Sequence, residues 1–366
     1  MNAARCLVAL GMVLAACGDD RGAAAEPDGS GPTVDAAAGL DAPFAPSCTD
    51  DQDCDPGEVC AAGGCHACEG PPLTAQSQVM PNTRYCGGVA HEKIDLAVGD
   101  TWTAGEVTGA DSADYDGVLT CADDCTLVKM YVHDNPGWAG LYIFGDDVHV
   151  IGGRFTANAK LGIGTDLQQR LTLEGVEVDH NGATADCGDE GGGIKLVSSQ
   201  TTIVRCYVHD NRCPAIWFDG DARQNEIAWN QVIDNSDEGI YYEISSEGSI
   251  HDNEIQGNGF FGGAGCEWFW GGGITISASY QVDVFANRLT NNCNGITGTQ
   301  QDRPDAVAPA GTLDRLHVSG NTVSGTGQSG VVSDNGADLG ARDITFTGNT
   351  WQGGHTCAGD FPTVCQ

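Results

Sequence analysis

The nine-residue segments IVRCYVHDN (Ile203–Asn211), IAWNQVIDN (Ile227–Asn235) and IHDNEIQGN (Ile250–Asn258) share one pattern. Each begins with an apolar residue, has a second apolar residue five positions later, and ends in asparagine. The fourth position is also asparagine in two of them and Cys206 in the other. Similar units recur every 23 to 34 residues and begin at Leu127, Val150, Leu173, Ile203, Ile227, Ile250, Val284, Val318 and Phe346.

A unit of about 23 residues with short alternating strands is typical of one coil of a parallel β-helix. Leucine-rich repeats have a similar length, but they need several leucines per unit, which this chain lacks. Asparagine at one inward position in consecutive coils can stack as a ladder of amide hydrogen bonds. The repeats therefore predict an all-β fold, a right-handed parallel β-helix solenoid of about nine or ten coils over residues 87–356. The cysteine that replaces asparagine is expected to be a buried free thiol.

A further strand follows each asparagine corner, and its inward residues include Ile194, Ile216 and Ile240. Because side chains alternate along a strand, the next residues point outward. These outward residues form one row across neighbouring coils, and a second row lies two positions further along. The first row contains Tyr142, Lys195, Trp217 and Tyr241, and the second contains Asp166, Asp219 and Glu243.

Two corners before this strand are long, from Asn181 to Ile194 and from Asn258 to Ile274. Each long corner contains one cysteine, and the following coil has a cysteine at the same corner. Coils stack about 4.8 Å apart, which is within reach of a disulfide. The spacing predicts the pairs Cys187–Cys213 and Cys266–Cys293, so that two ordered loops wall a groove on one edge of the solenoid.

The groove combines aromatic and acidic side chains, which suits sugar rings because their C–H faces stack on aromatics while their hydroxyls bond to acids. Trp217 and Tyr241 are the expected sugar platforms. Asp219 and Glu243 are like charges about 5 Å apart on adjacent coils, an arrangement that needs protonation, pairing or a metal. The alternatives are ordinary strand packing and two splayed, solvated carboxylates. Further candidate contacts are Tyr142, Phe260, Phe261, Trp268, Trp270 and Asp221.

Composition restricts the partners and the compartment. The chain has 366 residues and a formal charge of −35, so nucleic acid and anionic membrane surfaces are excluded as favourable partners. Its 17 cysteines indicate an oxidising compartment. Close spacing also suggests the bridges Cys121–Cys125 and Cys357–Cys365, the latter closing a tail over residues 357–366.

The first residues have the pattern of an export signal, in which the apolar run Leu7–Ala16 follows Arg5. The run ends in Leu-Ala-Ala before Cys17, which resembles the lipobox of bacterial lipoproteins. That resemblance implies cleavage after residue 16, acylation of Cys17 and anchoring in the cell envelope. An ordinary cleaved signal is the alternative. Residues 17–47 are expected to be a disordered tether, and residues 48–86 a disulfide module, with zinc near His66 as its competing interpretation.

The coils resemble those of the right-handed β-helix superfamily, which includes pectate lyase-like, polygalacturonase-like and exported bacterial proteins of unassigned activity. The resemblance covers about residues 94–356 and implies a glycan partner. It leaves two functions open: an enzyme, or a non-catalytic adhesin or spike. A hydrolase would use Asp219 and Glu243 as its carboxyl pair. A lyase would use Lys195 or Tyr241 as base, with Asp166, Asp219 and Glu243 holding Ca²⁺.

Overall fold

The computed structural model describes residues 58–61, 64–188, 190–260, 266, 268–340, 342–352, 356–357 and 359–360. The predicted signal (1–16), the tether (17–47), Cys17, Phe261 and the Cys357–Cys365 bridge lie outside the described residues or side chains. Among the described residues, no helix has the length and apolar character needed to cross a membrane.

The described chain winds into coils of three parallel strands, so that each strand pairs with its equivalents in the coils before and after it. One face is an eleven-stranded sheet, called here the first sheet. Its strands are Ile94–Leu96, Gly117–Cys121, Ala139–Ile143, Leu161–Thr165, Gly192–Leu196, Ile216–Phe218, Ile240–Glu243, Gly272–Ser277, Asn294–Gln300, Gln328–Ser333 and Thr356–Cys357.

The other two faces form the second sheet, in which two columns of strands run side by side. One column contains Arg84–Cys86, Thr101–Thr103, Thr126–His133, His149–Thr156, Thr172–Glu174, Thr202–Val204, Glu226–Ala228, Ser246–His251, Tyr280–Phe285, Asp314–Ser319 and Ile344–Thr347. The other contains Val89–Ala90, Glu106–Thr108, Glu177–Asp179, Tyr207–His209, Gln231–Ile233, Glu254–Gln256, Arg288–Thr290, Thr322–Ser324 and Thr350–Gln352, together with the second halves of Thr126–His133 and His149–Thr156.

The inward columns predicted from the repeats form the core. Ile203, Ile227 and Ile250 lie opposite one another on successive coils and are fully buried. Ile194, Ile216 and Ile240 form the matching column of the first sheet. Burying a continuous stack of β-branched residues provides the main driving force for winding the chain. The predicted all-β parallel solenoid is therefore confirmed.

Asparagine ladders run along two corners of the solenoid. In one, Asn253 Nδ2 donates to Asn287 Oδ1 (2.9 Å), and Asn230 Nδ2 donates to Asn253 Oδ1 (3.0 Å). In the other, Asn211, Asn235 and Asn258 are linked in the same way. Because these amides are buried, each ladder also satisfies backbone groups of the turns that would otherwise lack partners.

Cys206 occupies the position where the first ladder would continue toward the N-terminus. It is a buried free thiol, as expected from the repeat. Its backbone N–H still donates to Asn230 Oδ1 (2.9 Å), and burial raises the pKa of the thiol to about 12. The thiol therefore behaves as a small apolar core group.

The first coils begin before the asparagine repeats. Arg84–Cys86 pairs with Thr101–Thr103, and the disulfide Cys68–Cys86 ties the preceding segment to this coil. An antiparallel hairpin, Glu58–Ala61 with Gly64–Ala67, and a short 3₁₀ turn, Gln76–Gln78, precede the coil in sequence.

The coil that contains Gln328–Ser333 differs in register from the repeat pattern. Gly298, and not Ile296, lies opposite Val331 on the first sheet. The backbone N–H of Ile296 instead donates to the Ser329 hydroxyl (3.3 Å). Val331 remains in the core because a shift of two residues preserves the inward face.

Candidate functional site

Two disulfides hold loops beside the first sheet. Cys187–Cys213 and Cys266–Cys293 have Cα–Cα distances of 4.8 Å and 5.1 Å, and they are the pairs that the cysteine spacing predicted. Each joins a long corner to the next coil. Cys121–Cys125 forms a third bridge, with 5.7 Å between Cα atoms.

A cleft of about 470 Å³ opens on the first sheet. Three adjacent strands, Gly192–Leu196, Ile216–Phe218 and Ile240–Glu243, form its floor. The structure brings together here Lys195, Trp217, Asp219, Tyr241, Glu243 and Trp270, all predicted as site residues. The cleft is also lined by Glu190, Asp237, Glu238, Gln301 and Arg303.

Lys195 is the buried cation of the cleft, with only 7% of its side chain exposed. Its Nζ donates to Glu190 Oε1 (2.9 Å) and lies 3.4 Å from Asp219 Oδ2. The ammonium group also lies 3.7 Å from the centre of the Trp217 ring. Two carboxylates and an aromatic face therefore compensate for the burial of this charge.

Glu243 is the most buried carboxylate of the predicted pair, with 5% of its side chain exposed. Arg303 donates to its Oε1 and also to Gln301 Oε1 (2.6 Å). Burial, followed by the charge of Asp219, raises the pKa of Glu243, although Arg303 opposes the shift. The two carboxylates therefore have different surroundings, because Asp219 is paired with Lys195 and Glu243 with Arg303.

Tyr241 lies on the same strand as Glu243 and is 8% exposed. Burial, with the charges of Glu243 and Glu238, raises its pKa well above the ordinary value, and its hydroxyl bonds to Glu243. The phenol is therefore neutral at physiological pH. It can act as a hydrogen-bond donor, but it is poorly suited to be the base that a lyase mechanism would assign to it.

Glu238 lies in the wall of the cleft and is buried. Its Oε1 accepts a hydrogen bond from the backbone N–H of Gly271 (3.1 Å). Burial and the neighbouring charge of Asp237 raise the pKa of Glu238 well above its ordinary value. The cleft therefore contains a carboxyl group that burial favours in its protonated form.

The aromatic rings are packed more tightly than expected. Trp217 and Tyr241 have ring centroids 5.3 Å apart, and Trp270 meets Tyr241 edge-on at 6.2 Å. Trp217 and Tyr241 are only 4% and 8% exposed, so little of either ring faces solvent, and their role as sugar platforms stays a prediction. The physical reason for this low exposure is that Lys195 covers one ring and the stapled loop that contains Trp270 packs against the other.

Several predicted contacts lie outside this cleft. Tyr142 and Asp166 line an adjoining pocket of about 220 Å³, which shares Glu190 and Lys195 with the cleft. Asp221 is bound by Arg223 (2.6 Å) and lines another pocket of about 410 Å³, which shares Ile244 and Arg303 with the cleft. Phe260 and Trp268 are each 45% exposed and are not among the residues that line the cleft.

The arrangement does not fit the calcium site proposed from Asp166, Asp219 and Glu243. Calcium needs six to eight oxygen ligands around one point. Asp166 lies in the adjoining pocket, while Lys195 and Arg303 already neutralise the other two carboxylates. Among the described residues, one three-ligand group has its atoms within 4.8 Å of one another: Glu177, Asp179 and His209, on the second sheet.

Four cleft residues, Asp237, Glu238, Gln301 and Arg303, were not predicted from the sequence. Glu238 lies in a short corner that appeared unremarkable. Arg303 lies in the segment between Asn294–Gln300 and Asp314–Ser319, and the 34-residue spacing from Val284 to Val318 signalled this insertion. Its contact with Glu243 spans 60 residues and could not be derived from the repeat.

Comparisons with known proteins give one family match and several distant structural likenesses. Residues 116–272 match the family model described as right handed beta helix region. No curated protein matches the chain. The solved structures that resemble it include the periplasmic alginate epimerase AlgG, with 13% identity, 77% of this chain and 79% of that chain covered, and a TM-score of 0.42.

Two other solved structures show similar likeness. The Azotobacter vinelandii mannuronan C-5 epimerase AlgE6 A-module has 13% identity, coverage of 77% of this chain and 86% of that chain, and a TM-score of 0.45. Pectate lyase Pel9A has 11% identity, coverage of 80% and 67%, and a TM-score of 0.34. At such identities the likeness concerns the fold alone. The stacked coils described above agree with the right handed beta helix match over residues 116–272.

Proposed function

We propose that this protein binds a glycan in the cleft between its two disulfide-stapled loops. The observation that carries the proposal is the convergence of the half-buried Trp270, the largely covered Trp217 and Tyr241, and several carboxylates in one cleft of about 470 Å³. Aromatic edges and faces pack against the apolar faces of sugar rings, while carboxylates and amides accept or donate hydrogen bonds to hydroxyl groups. The volume lies within the usual range for small-molecule sites.

The loops give the cleft the rigidity that a binding site needs. Cys187 and Cys266 each lie in a loop that is tethered to the next coil. The floor consists of paired strands, which have few alternative conformations. Such a site loses little entropy on binding, because its side chains are already held in place.

Cleavage of the glycosidic bond is a second candidate function, which the Asp219–Glu243 pair favours. A glycosidase needs one carboxyl group that donates a proton and another that remains ionised. Burial and Asp219 raise the pKa of Glu243, while Lys195 pairs with Asp219. In this proposal Glu243 is the general acid and Asp219 is the base or nucleophile.

We also propose that the protein is exported and lipid-anchored at Cys17. The disulfides in the described part of the chain support an extracytoplasmic location, because thiols stay reduced in the cytosol. Cys17→Ala should move the protein from the membrane fraction to the soluble fraction. Membrane retention of this variant would refute the anchor.

A glycan array followed by a reducing-sugar assay on every hit tests binding and cleavage separately. A hit without released sugar supports a binding protein. If released sugar appears, Glu243→Gln should abolish turnover by orders of magnitude while binding persists. If no glycan binds, the protein is better described as a structural spike.

A further inference from the structure

We propose that the cleft selects uncharged glycans and rejects acidic ones. This inference rests on the proposed glycan binding and specifies its substrate class. It follows from the balance of charges in the cleft and from two buried N–H groups that lack acceptors.

Both cations of the cleft are already neutralised within the protein. Lys195 is held by Glu190 and Asp219, with N–O distances of 2.9 Å and 3.4 Å. Arg303 binds Glu243 and Gln301. A ligand carboxylate or sulfate would have to compete with these buried partners, and separating them would leave a protein carboxylate unpaired at a cost of several kcal/mol.

Acidic groups outnumber basic groups around the cleft. Its lining contains five carboxyl side chains, Glu190, Asp219, Asp237, Glu238 and Glu243, against Lys195 and Arg303. Because burial favours the protonated form of Glu238, four carboxylates remain against these two cations. The whole chain has a formal charge of −35, which adds a general repulsion of polyanions to this local excess. Like charge on a polyanionic chain therefore slows its approach and weakens its binding.

Two donors in the cleft lining have no hydrogen-bond partner among the described residues: Trp217 Nε1 and Arg303 Nε. An unsatisfied buried donor costs about 1–3 kcal/mol, and a ligand acceptor can recover part of this only where its entry opens a path to the buried N–H group. Hydroxyl, ring and amide carbonyl oxygens provide such acceptors without adding charge. The cleft therefore combines an excess of carboxylates with two lining residues whose buried N–H groups lack a protein acceptor.

The test is an array that presents neutral and acidic glycans, followed by titration calorimetry with equal-length oligosaccharides of glucose, N-acetylglucosamine, galacturonate and mannuronate. We expect binding to a neutral class, with uronates at least about tenfold weaker at low salt. Raising the salt from about 0.05 M to about 0.5 M should narrow this difference, because it screens the repulsion.

Two variants that each remove one negative charge show whether the preference for neutral glycans arises in the cleft. Glu190→Gln removes one partner of Lys195 and should lower the preference for neutral glycans by about threefold or more. Glu254→Gln, at an exposed position of the second sheet, should leave the preference unchanged.

Each outcome has a distinct consequence. Uronates that bind as tightly as the best neutral glycan would overturn the selectivity but leave glycan binding intact. Absence of binding to every glycan would overturn both proposals. An equal shift in Glu190→Gln and Glu254→Gln would show that net charge, and not the cleft, sets the preference, which would also refute the inference.

Discussion

The Lys195 ammonium group lies 3.7 Å from the centre of the Trp217 ring, and the two residues are direct neighbours on adjacent strands. Lys160 and Trp138 have the same 3.7 Å separation elsewhere on the solenoid. The surroundings differ, because Lys195 is 7% exposed and Lys160 is 33% exposed. The first pair is therefore a buried element of the cleft, and the second is a half-exposed surface contact.

Lys195→Met should lower the free energy of unfolding by about 1–3 kcal/mol, because it leaves Glu190 and Asp219 without their shared cation in a partly buried setting. Lys160→Met is the matched control and should cost less than about 1 kcal/mol, since Asp114 is exposed and 4.0 Å away. Urea unfolding of both variants measures the difference. Equal losses would contradict a special role for the cleft lysine.

We expect the free energy of unfolding to fall less with rising pH in Glu238→Gln than in the wild type. Burial raises the pKa of Glu238 in the folded protein above the ordinary 4.5 of the unfolded chain. Between pH 4.5 and the pKa in the folded protein, the folded protein therefore holds a proton that the unfolded chain releases. Its contribution is fully present below pH 4.5 and is lost as pH rises through the folded pKa.

Across that window this group lowers the free energy of unfolding by about 1.4 kcal/mol per pH unit. Glutamine keeps the acceptor for Gly271 but cannot ionise, so the variant should equal the wild type near pH 4 and exceed it near pH 8. Urea unfolding across this range, with Glu254→Gln as control, measures the effect. Parallel profiles for wild type and Glu238→Gln would refute the buried neutral acid.

Loss of a loop staple should destabilise the protein more than loss of a local bridge. In the chain-entropy description, Cys187–Cys213, with a separation of 26 residues, contributes about 3.5 kcal/mol, and Cys121–Cys125, with a separation of 4, contributes about 2 kcal/mol. Double serine variants compared by calorimetry test the order. If the double serine variant at Cys187 and Cys213 retained full stability and glycan affinity, other contacts would be sufficient to hold the loop.

The asparagine ladder should be intolerant of interruption. Asn253 Nδ2 donates to Ile227 O (2.9 Å), while Asn253 Oδ1 accepts the Asn230 N–H (3.0 Å), so Asn253→Ala leaves several buried groups unsatisfied. We expect Asn253→Ala to lower the free energy of unfolding by about 3 kcal/mol or more.

Cys206→Asn tests the ladder from the opposite direction. The thiol already lies 3.5 Å from the Leu173 carbonyl, the equivalent of the acceptor that Asn230 uses at Ile203. The asparagine should therefore be accommodated with little change in Tm. Severe destabilisation by Cys206→Asn would contradict this description of the ladder.

The coils were predictable because period-two alternation and inward asparagines occur in every repeat and set the register. The same register correctly aligned Lys195, Trp217 and Tyr241 as neighbours on adjacent strands. The loop segment that brings Arg303 to the cleft was not predictable, because loop conformation does not follow from the periodicity of the repeats. Arg303 reaches Glu243 from an irregular segment, and its presence changes the chemistry expected of that carboxylate.

The most direct test of the central claim compares two tryptophan variants in binding to the glycans that the array identifies. Trp270 lines the cleft and is half-buried, whereas Trp229 is 53% exposed at the corner between the strands Glu226–Ala228 and Gln231–Ile233. Calorimetric titration should show that Trp270→Ala weakens binding by about threefold to tenfold, as expected for losing a contact of about 0.5–1.5 kcal/mol, while Trp229→Ala binds like the wild type. Wild-type affinity in Trp270→Ala, or an equal loss in both variants, would contradict the assignment of glycan binding to this cleft.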